Sequence, residues 1–342
     1  MSNAVPAPEH RPGLSTARLL RLMRRAVAEC SLDLAGRVVL TEAATGPYVV
    51  TPILAALAGA EVVAWTKTTR YGTAADIAAT TMALAKEAGV ADRITVTETR
   101  DLADVARADV ITNSGHVRPI DRALIDAMKP TAVVPLMFEA WEAEAGRSDL
   151  DLTALRAKGV QIHGTNERHP NVDVFSYLGL MAVKLLLDAG VPAYRSRIAV
   201  LCDNPFHDYL VRGLEGAGAT VTSAASLAGL LDQDAPDALL VSQKPRGGSV
   251  LSAAEVERLA SGWPGVLVAQ YWGDLDRAEL ARYDLPVWPA TAPGAGHMAV
   301  LPSEVGPEPI VRLQSGGLKV GEVLLKPAAE RTAADLEYVD EL

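Results

Sequence analysis

The sequence predicts an α/β protein made of two Rossmann-like, doubly wound parallel-sheet domains joined by a long interdomain helix. Three observations predict it. Short aliphatic runs alternate with amphipathic helical stretches along most of the chain, which is the pattern of βαβ units. The alternation pauses at an apolar helical stretch, 173–189, and restarts at Arg197. Aromatic residues make up only 5% of the chain, against an abundance of Ala, Val, Leu and Gly. Strands covered by helices on both faces have that aliphatic composition.

The elements follow in order. Ser15 to Cys30 reads as an amphipathic helix, and Arg37–Thr41 as a buried strand. Helix Pro47–Ala58 ends at Gly59, strand Glu61–Trp65 follows, and helix Ala74–Ala88 ends at Gly89. Further strands are expected at Arg93–Thr97, Asp109–Asn113, Ala132–Met137 and Val160–His163, with helices Ile120–Met128 and Leu152–Lys158 between them. After helix Asp173–Ala189, closed by Gly190 and Pro192, strands are expected at Arg197–Leu201, Ala219–Thr222, Ala238–Ser242, Val266–Gln270 and Pro286–Trp288. Helices Phe206–Ala217, Ala253–Ser261 and Leu275–Arg282 alternate with them. The predicted organisation is a first domain over 1–172, a linking helix over 173–195, a second domain over 196–305 and a C-terminal helical segment over 306–342 that packs back on the first domain.

Composition excludes several classes of function. The 342 residues carry a formal net charge of −10, with no basic stripe, so nucleic-acid binding is not expected. No apolar run reaches the ~18 residues of a membrane span. The polar, Pro-rich start, Met1–Gly13, has no signal-peptide core. Two cysteines, Cys30 and Cys202, give neither a disulfide framework nor a cysteine-rich zinc site. A cytoplasmic location is expected. No two histidines lie one helical turn apart, so no metal site is predicted.

In doubly wound sheets ligands bind at the carboxyl ends of the strands. Five polar clusters fall at such points: Thr41–Tyr48, Asn113–His116, Thr165–Pro170, Asp203–Asp208 and Thr291–Met298. Four of the six histidines (His116, His169, His207 and His297) lie in them. Imidazole exchanges protons near neutrality, so these four are the candidate catalytic groups. Asn113, Ser114, Arg118, Asn166, Glu167, Arg168, Asp203 and Asn204 are candidate substrate contacts, the guanidinium fork matching a carboxylate. Asp203, Asn204 and Pro205 are equally explained as a helix cap. Lys67 and Arg70 follow a strand at the place where a dinucleotide domain preferring NAD has an acidic residue. They suit a phosphate, and a solvated basic loop explains them as well.

The stretch from Asp109 to Ala189 resembles the D-2-hydroxyacid dehydrogenases. Asp149–Val160 looks like that family's approach to its interdomain helix, and Asn166–Leu187 looks like the helix. Gly273–Leu280 and Gly296-His297 are similar to its late turn and catalytic-histidine region. The turn Asn113–His116 is similar to one in relatives of S-adenosylhomocysteine hydrolase and alanine dehydrogenase. The resemblance implies a nucleotide domain in the second half. The glycine fingerprint is missing: Cys202, Asn204 and His207 stand at its three positions there, and Ala43, Thr45 and Tyr48 in the first half. Tyr271-Trp272 stands where the family has its substrate-binding arginine.

The expected function is an NAD(P)-dependent oxidoreductase acting on a small carboxylated metabolite in the interdomain cleft. Thr45, Gly46, Pro47, Tyr48, Lys67 and Arg70 are the expected NADP or NAD contacts. The alternative is a redox-neutral lyase, hydrolase or transferase built on the histidines, with His169 and His207 facing each other. A passive binding protein is a third reading. The apolar linking helix suggests a homodimer.

Overall fold

The computed structural model describes residues 11–144 and 149–342; His10 and most of the Met1–Gly13 segment lie outside them. The chain forms two compact units. Unit 1 comprises Met1–Val174 and Gly306–Leu342, and unit 2 comprises Phe175–Val305. The fold class is α/β, as the sequence predicts.

Unit 1 holds β1 (Val38–Glu42), β2 (Glu61–Trp65), β3 (Ile94–Thr97), β4 (Val110–Ile111), β5 (Val133–Pro135) and β6 (Gln161–Thr165). All six pair in parallel. Helices α1 (Thr16–Glu29), α2 (Val50–Leu57), α3 (Ala74–Ala88), α4 (Leu102–Arg107), α5 (Arg122–Ala127), α6 (Ala140–Glu144) and α7 (Leu152–Lys158) accompany them. One core, with Met23, Leu34, Ile53 and Leu318, lies on one side of the sheet. A second, with Trp65, Ile111, Ile120 and Leu155, fills the other.

Unit 2 begins with α8 (Leu178–Asp188). It continues through β7 (Arg197–Cys202), α9 (His207–Gly216), β8 (Thr220–Ala224), β9 (Ala238–Ser242), α10 (Ala253–Gly262), β10 (Leu267–Trp272), α11 (Arg277–Arg282), β11 (Val287–Trp288) and α12 (Pro302–Val305). Its five strands are parallel, in the order β11-β10-β9-β7-β8. α8 and α9 meet through glycine: a Cβ at Gly179 would lie 2.5 Å from the Gly213 Cα. The long linking helix expected over 173–189 is shorter, because Asp173 takes a left-handed φ of 42° and a 3-10 turn fills Phe175–Tyr177.

The chain returns to unit 1 as α13 (Glu308–Leu325), followed by α14 (Ala333–Leu336) and β12 (Val339–Asp340). The last stretch is not helical to its end. β12 pairs antiparallel with β6, Val339 opposite Thr165, completing the order β12-β6-β5-β4-β1-β2-β3. Likewise α2 begins late, after a 3-10 turn over Gly46–Val49. Gly46 has a φ of 60°, a value that glycine adopts without steric cost.

A buried ionic cluster pins this return. Lys319 Nζ donates to Glu322 Oε1 at 2.7 Å and Lys326 Nζ to Asp335 Oδ1 at 2.8 Å. Glu322 Oε2 accepts the Asp33 N–H at 2.9 Å. Thr332 and Asp335 also form a capping box. Burial pushes the Asp335 carboxyl up, but hydrogen bonds from Lys326 and Thr332 outweigh it and hold it at about 2. A carboxyl depressed on folding stabilises above its ordinary value of 3.8 and loses that contribution as pH falls towards about 2. Asp335→Asn keeps a capping oxygen and removes the charge. We expect it to cost about 1–2 kcal/mol at pH 7, with the deficit vanishing between pH 4 and 2 in urea unfolding. A deficit independent of pH would contradict the charge assignment.

Candidate active site

The strand order of unit 1 reverses between β1 and β4. At that point the helices leave opposite faces of the sheet and open a crevice at the strand carboxyl ends. β1 delivers Thr41 and Glu42 there, both buried, and β4 runs on into Thr112, Asn113, Ser114, Gly115 and His116. Thr112 Oγ1 donates to Thr41 Oγ1 at 2.9 Å, and Ser114 Oγ lies 3.3 Å from Thr41 Oγ1. Hydroxyls thus fill the gap between the two strands. Above them Glu42 Oε2 accepts the His116 backbone N–H at 2.9 Å. A Cβ on Gly115 would stand 3.0 Å from that oxygen, so the turn is fitted to the carboxylate. The half-buried His116 imidazole is pushed below its usual range by burial; the Glu42 charge opposes this and Lys67 adds to it. It is a neutral base near pH 7.

Beside this lies a second polar group at the ends of β5 and β6. Asn113 Oδ1 accepts the Met137 N–H at 2.8 Å, while its Nδ2 is buried with no hydrogen-bond partner. Glu139 Oε2 accepts the Trp141 Nε1–H at 2.9 Å. Glu139 Oε1 has no hydrogen bond, although Arg168 Nε approaches to 3.4 Å. Burial raises the Glu139 carboxyl, partly offset by the Trp141 hydrogen bond. Glu167 is raised well above the carboxylate range by burial and by the charges of Glu142, Glu139 and Asp340. A carboxyl so raised holds a proton that it can donate. An orphaned donor in a native interior calls for a partner, and Asn113 Nδ2 belongs to the same turn after β4 that carries His116.

Other expected residues have different duties. Arg118 is tied to Asp149 at 2.6 Å. Asn166 holds the C-terminal return, donating to the Glu337 carbonyl at 2.8 Å. His169 is buried, stacks on Tyr338 at 3.7 Å, and accepts the Asn171 N–H on Nδ1 at 3.1 Å. Thr45, Gly46, Pro47 and Tyr48 form the turn from β1 into α2, with Pro47 buried. Lys67 and Arg70 follow β2, with Lys67 exposed and the Arg70 guanidinium 4.7 Å from the Tyr71 ring centroid.

In unit 2, His207 is engaged at both ring nitrogens, with Asp208 Oδ1 at 2.7 Å and Ser223 Oγ at 2.9 Å. His297 is exposed, its backbone N–H bound to the Gly294 carbonyl at 2.9 Å. Asp203 and Asn204 hydrogen-bond within the unit, to Lys244 and Ser242. The four histidines therefore divide between the units, His116 and His169 in unit 1, His207 and His297 in unit 2.

Sequence reasoning passed over Glu42 and Glu139. Glu42 ends the aliphatic strand β1, and that position was the available signal, whereas Glu139 lies past the end of β5.

No family model and no curated protein matches this sequence. Solved structures do share its fold. A dipicolinate synthase chain from Bacillus halodurans is similar with a TM-score of 0.53 and 12% identity, over 86% of this chain and 100% of that one. The Bacillus subtilis protein gives 0.53 and 13%, over 89% and 99%. A D-lactate dehydrogenase from Treponema pallidum gives 0.50 and 10%, over 85% and 98%. The chain has the two-domain Rossmann fold that this dehydrogenase shares, at low identity.

That fold raises the question of a dinucleotide. In unit 1 the residues suit one. The Ala43-Ala44-Thr45-Gly46 turn is small-chained with a left-handed glycine, and Lys67 and Arg70 supply positive charge after β2.

The electrostatics around His116 give a prediction with a sign. In a two-dimensional NMR titration its imidazole should protonate below the ordinary 6.5. Glu42→Gln should lower the midpoint further and Lys67→Met should raise it. Equal midpoints in all three proteins would show that neither charge reaches the ring.

Proposed function

We propose that this protein is an NAD(P)-dependent oxidoreductase acting on a small carboxylated metabolite at the strand-end edge of unit 1. The observation that carries the reading is the convergence of His116, Glu42 and Lys67 on the reversal point of a sheet with the dinucleotide-binding strand order. Lactate and dipicolinate, which appear in the names of the fold neighbours, are small carboxylated molecules. A nicotinamide, when bound, supplies or takes a hydride. His116 gives or takes the proton at the substrate oxygen. Glu42, through the His116 backbone N–H, fixes where that ring sits. Asn113 Nδ2 offers a donor for a carboxylate, whereas Arg118 is already paired to Asp149. Thr45 to Tyr48 face the cofactor's backbone, and Lys67 with Arg70 hold its ribose phosphate.

A redox-neutral lyase, hydrolase or transferase is the second reading, and the raised carboxyl of Glu167 favours it. It would use Glu167 as acid and His116 as base. His207 is less suited to that role because both its ring nitrogens have partners, and His169 because its Nδ1 accepts from Asn171 and its ring is covered by Tyr338.

Fluorescence titration with NADPH and NADH separates the two. We expect binding of both, with Lys67→Ala/Arg70→Ala weakening NADPH by about tenfold and NADH little. Silence at millimolar concentration with both would end the nicotinamide reading and favour the redox-neutral one.

The reading includes a cytoplasmic homodimer. Among the described residues no helix is long and apolar enough to cross a membrane. Leu180 and Leu187, 55% and 56% exposed, lie seven apart on one face of α8, a spacing that a second copy can cover. Light scattering should return twice the 36.0 kDa chain mass, and Leu187→Glu should return the single mass. A monomer in the unmodified protein would remove this part of the reading.

A further inference from the structure

The structure leads us to infer that unit 2 does not hold a dinucleotide, because its own side chains close the reversal point where one would bind. The inference stands apart from the chemistry proposed for unit 1.

The order β11-β10-β9-β7-β8 reverses between β7 and β9. A dinucleotide at such a point needs three things: a bare turn after the first strand, free backbone N–H groups at the helix start, and a partner for the ribose after the second strand. Unit 2 departs from this pattern at each.

The turn is not bare. Asn204 spans the gap, its Nδ2 donating to the Ser242 carbonyl at 2.7 Å. Asp203 reaches across as well: Oδ1 accepts the Lys244 N–H at 2.9 Å, and Oδ2 accepts from Arg246 Nη2 at 2.7 Å. Two strand ends that would part around a pyrophosphate are instead laced together by three hydrogen bonds.

Two of the backbone donors at this turn are taken. Asn204 Oδ1 accepts the Phe206 N–H at 3.1 Å, and the His207 N–H goes to the Asn204 carbonyl at 3.2 Å. The Arg246 guanidinium is paired to Asp203. The charge at the turn has the wrong sign for phosphate. Asp203 stays ionised, since hydrogen bonds from Lys244 and Arg246 outweigh the effect of burial. Asp208 adds a second carboxylate in the first turn of α9.

Space is taken too. Phe206 stacks on Trp272 at 4.9 Å. At the third glycine position His207 reaches over to Ser223 on β8. β8 ends at Ala224 and runs on into Ala225-Ser226, with neither a carboxylate for a ribose nor a cation for a phosphate.

Hydrogen–deuterium exchange on the full chain, resolved by peptide, tests this with NADPH and NADH as probes. We expect no change in exchange over 202–208 and 242–246 with either. Slowing in these two segments would overturn the inference. Slowing confined to 41–48 and 66–70 would support it together with the function proposed for unit 1. Slowing nowhere would support it while ending the nicotinamide reading.

The lacing has its own test in the free protein. Asp203→Ala should speed exchange of the Lys244 amide at least tenfold, with thermal unfolding as the check on folding. An unchanged rate would show that the latch does not hold in solution and would overturn the mechanism of closure. Arg246→Ala, a milder change, leaves the Asp203–Lys244 bond in place and should leave that amide slow.

Discussion

Unit 1 depends on a helix that lacks side chains on one face. A Cβ on Gly321 would lie 2.9 Å from Val110 Cγ1, and one on Gly316 would lie 2.6 Å from Val172 Cγ2. With hydrogens in those places α13 comes down against β4, β5 and β6 themselves, closer than ordinary side chains permit. The rest of α13 then reaches its anchors. Gln314 Oε1 accepts from Thr51 Oγ1 at 3.0 Å, at the start of α2, and Lys319 donates to the Ser31 carbonyl at 3.2 Å. Through Thr51 the helix also steadies the Thr45–Tyr48 turn that leads out of β1. The candidate site is thus framed by an element that belongs to the far end of the chain.

The two units obey one topological rule and put different chemistry at the same place. In unit 1 the reversal point is lined by small hydroxyls, a glycine turn and one carboxylate that grips a backbone amide. This leaves the His116 ring available and Asn113 Nδ2 unspent. In unit 2 the corresponding groups are longer, and each has found a partner across the gap. An amide and a carboxylate, one residue apart, are enough to turn a crevice into a seam. Fold likeness to the D-lactate dehydrogenase covers 85% of the chain, yet the side chains at the two reversal points differ. Function is carried by the site rather than by the fold.

The sequence made the architecture legible because aliphatic runs and amphipathic stretches have different periods, and glycines mark where helices stop. Gly59, Gly89 and Gly159 do so with φ between 75° and 95°. Boundaries were less legible where backbone conformation intervened. Asp173 halts the extension of α8 towards its N-terminus, and nothing in its residue type separates it from a helical aspartate. β12 was hidden because two residues of strand carry no period. The site was legible in part. Asn113, Ser114 and His116 stand out as a polar turn after a strand. Their partner Glu42 comes from a strand 71 residues away in the Thr41–Thr112 pairing, and pairing between β1 and β4 is a matter of strand order, which composition does not encode. His169 shows the converse: its position after a strand suggested chemistry, whereas the Tyr338 ring that covers it arrives from the C-terminal return.

That return also sets the order of assembly. Unit 2 is contiguous, from Phe175 to Val305, whereas unit 1 waits for Gly306–Leu342. Domains fold as units while the chain emerges from the ribosome, the earlier ones first in an ordinary tandem arrangement. Here the segment made before unit 2 is completed only after it. Until α13 and β12 appear, the sheet of unit 1 has one face without its cover and β6 has an unpaired edge, the kind of edge that invites pairing with other chains. The sheet of unit 1 is therefore the part that waits longest for its cover, and its safe passage rests on residues made only after the whole of unit 2.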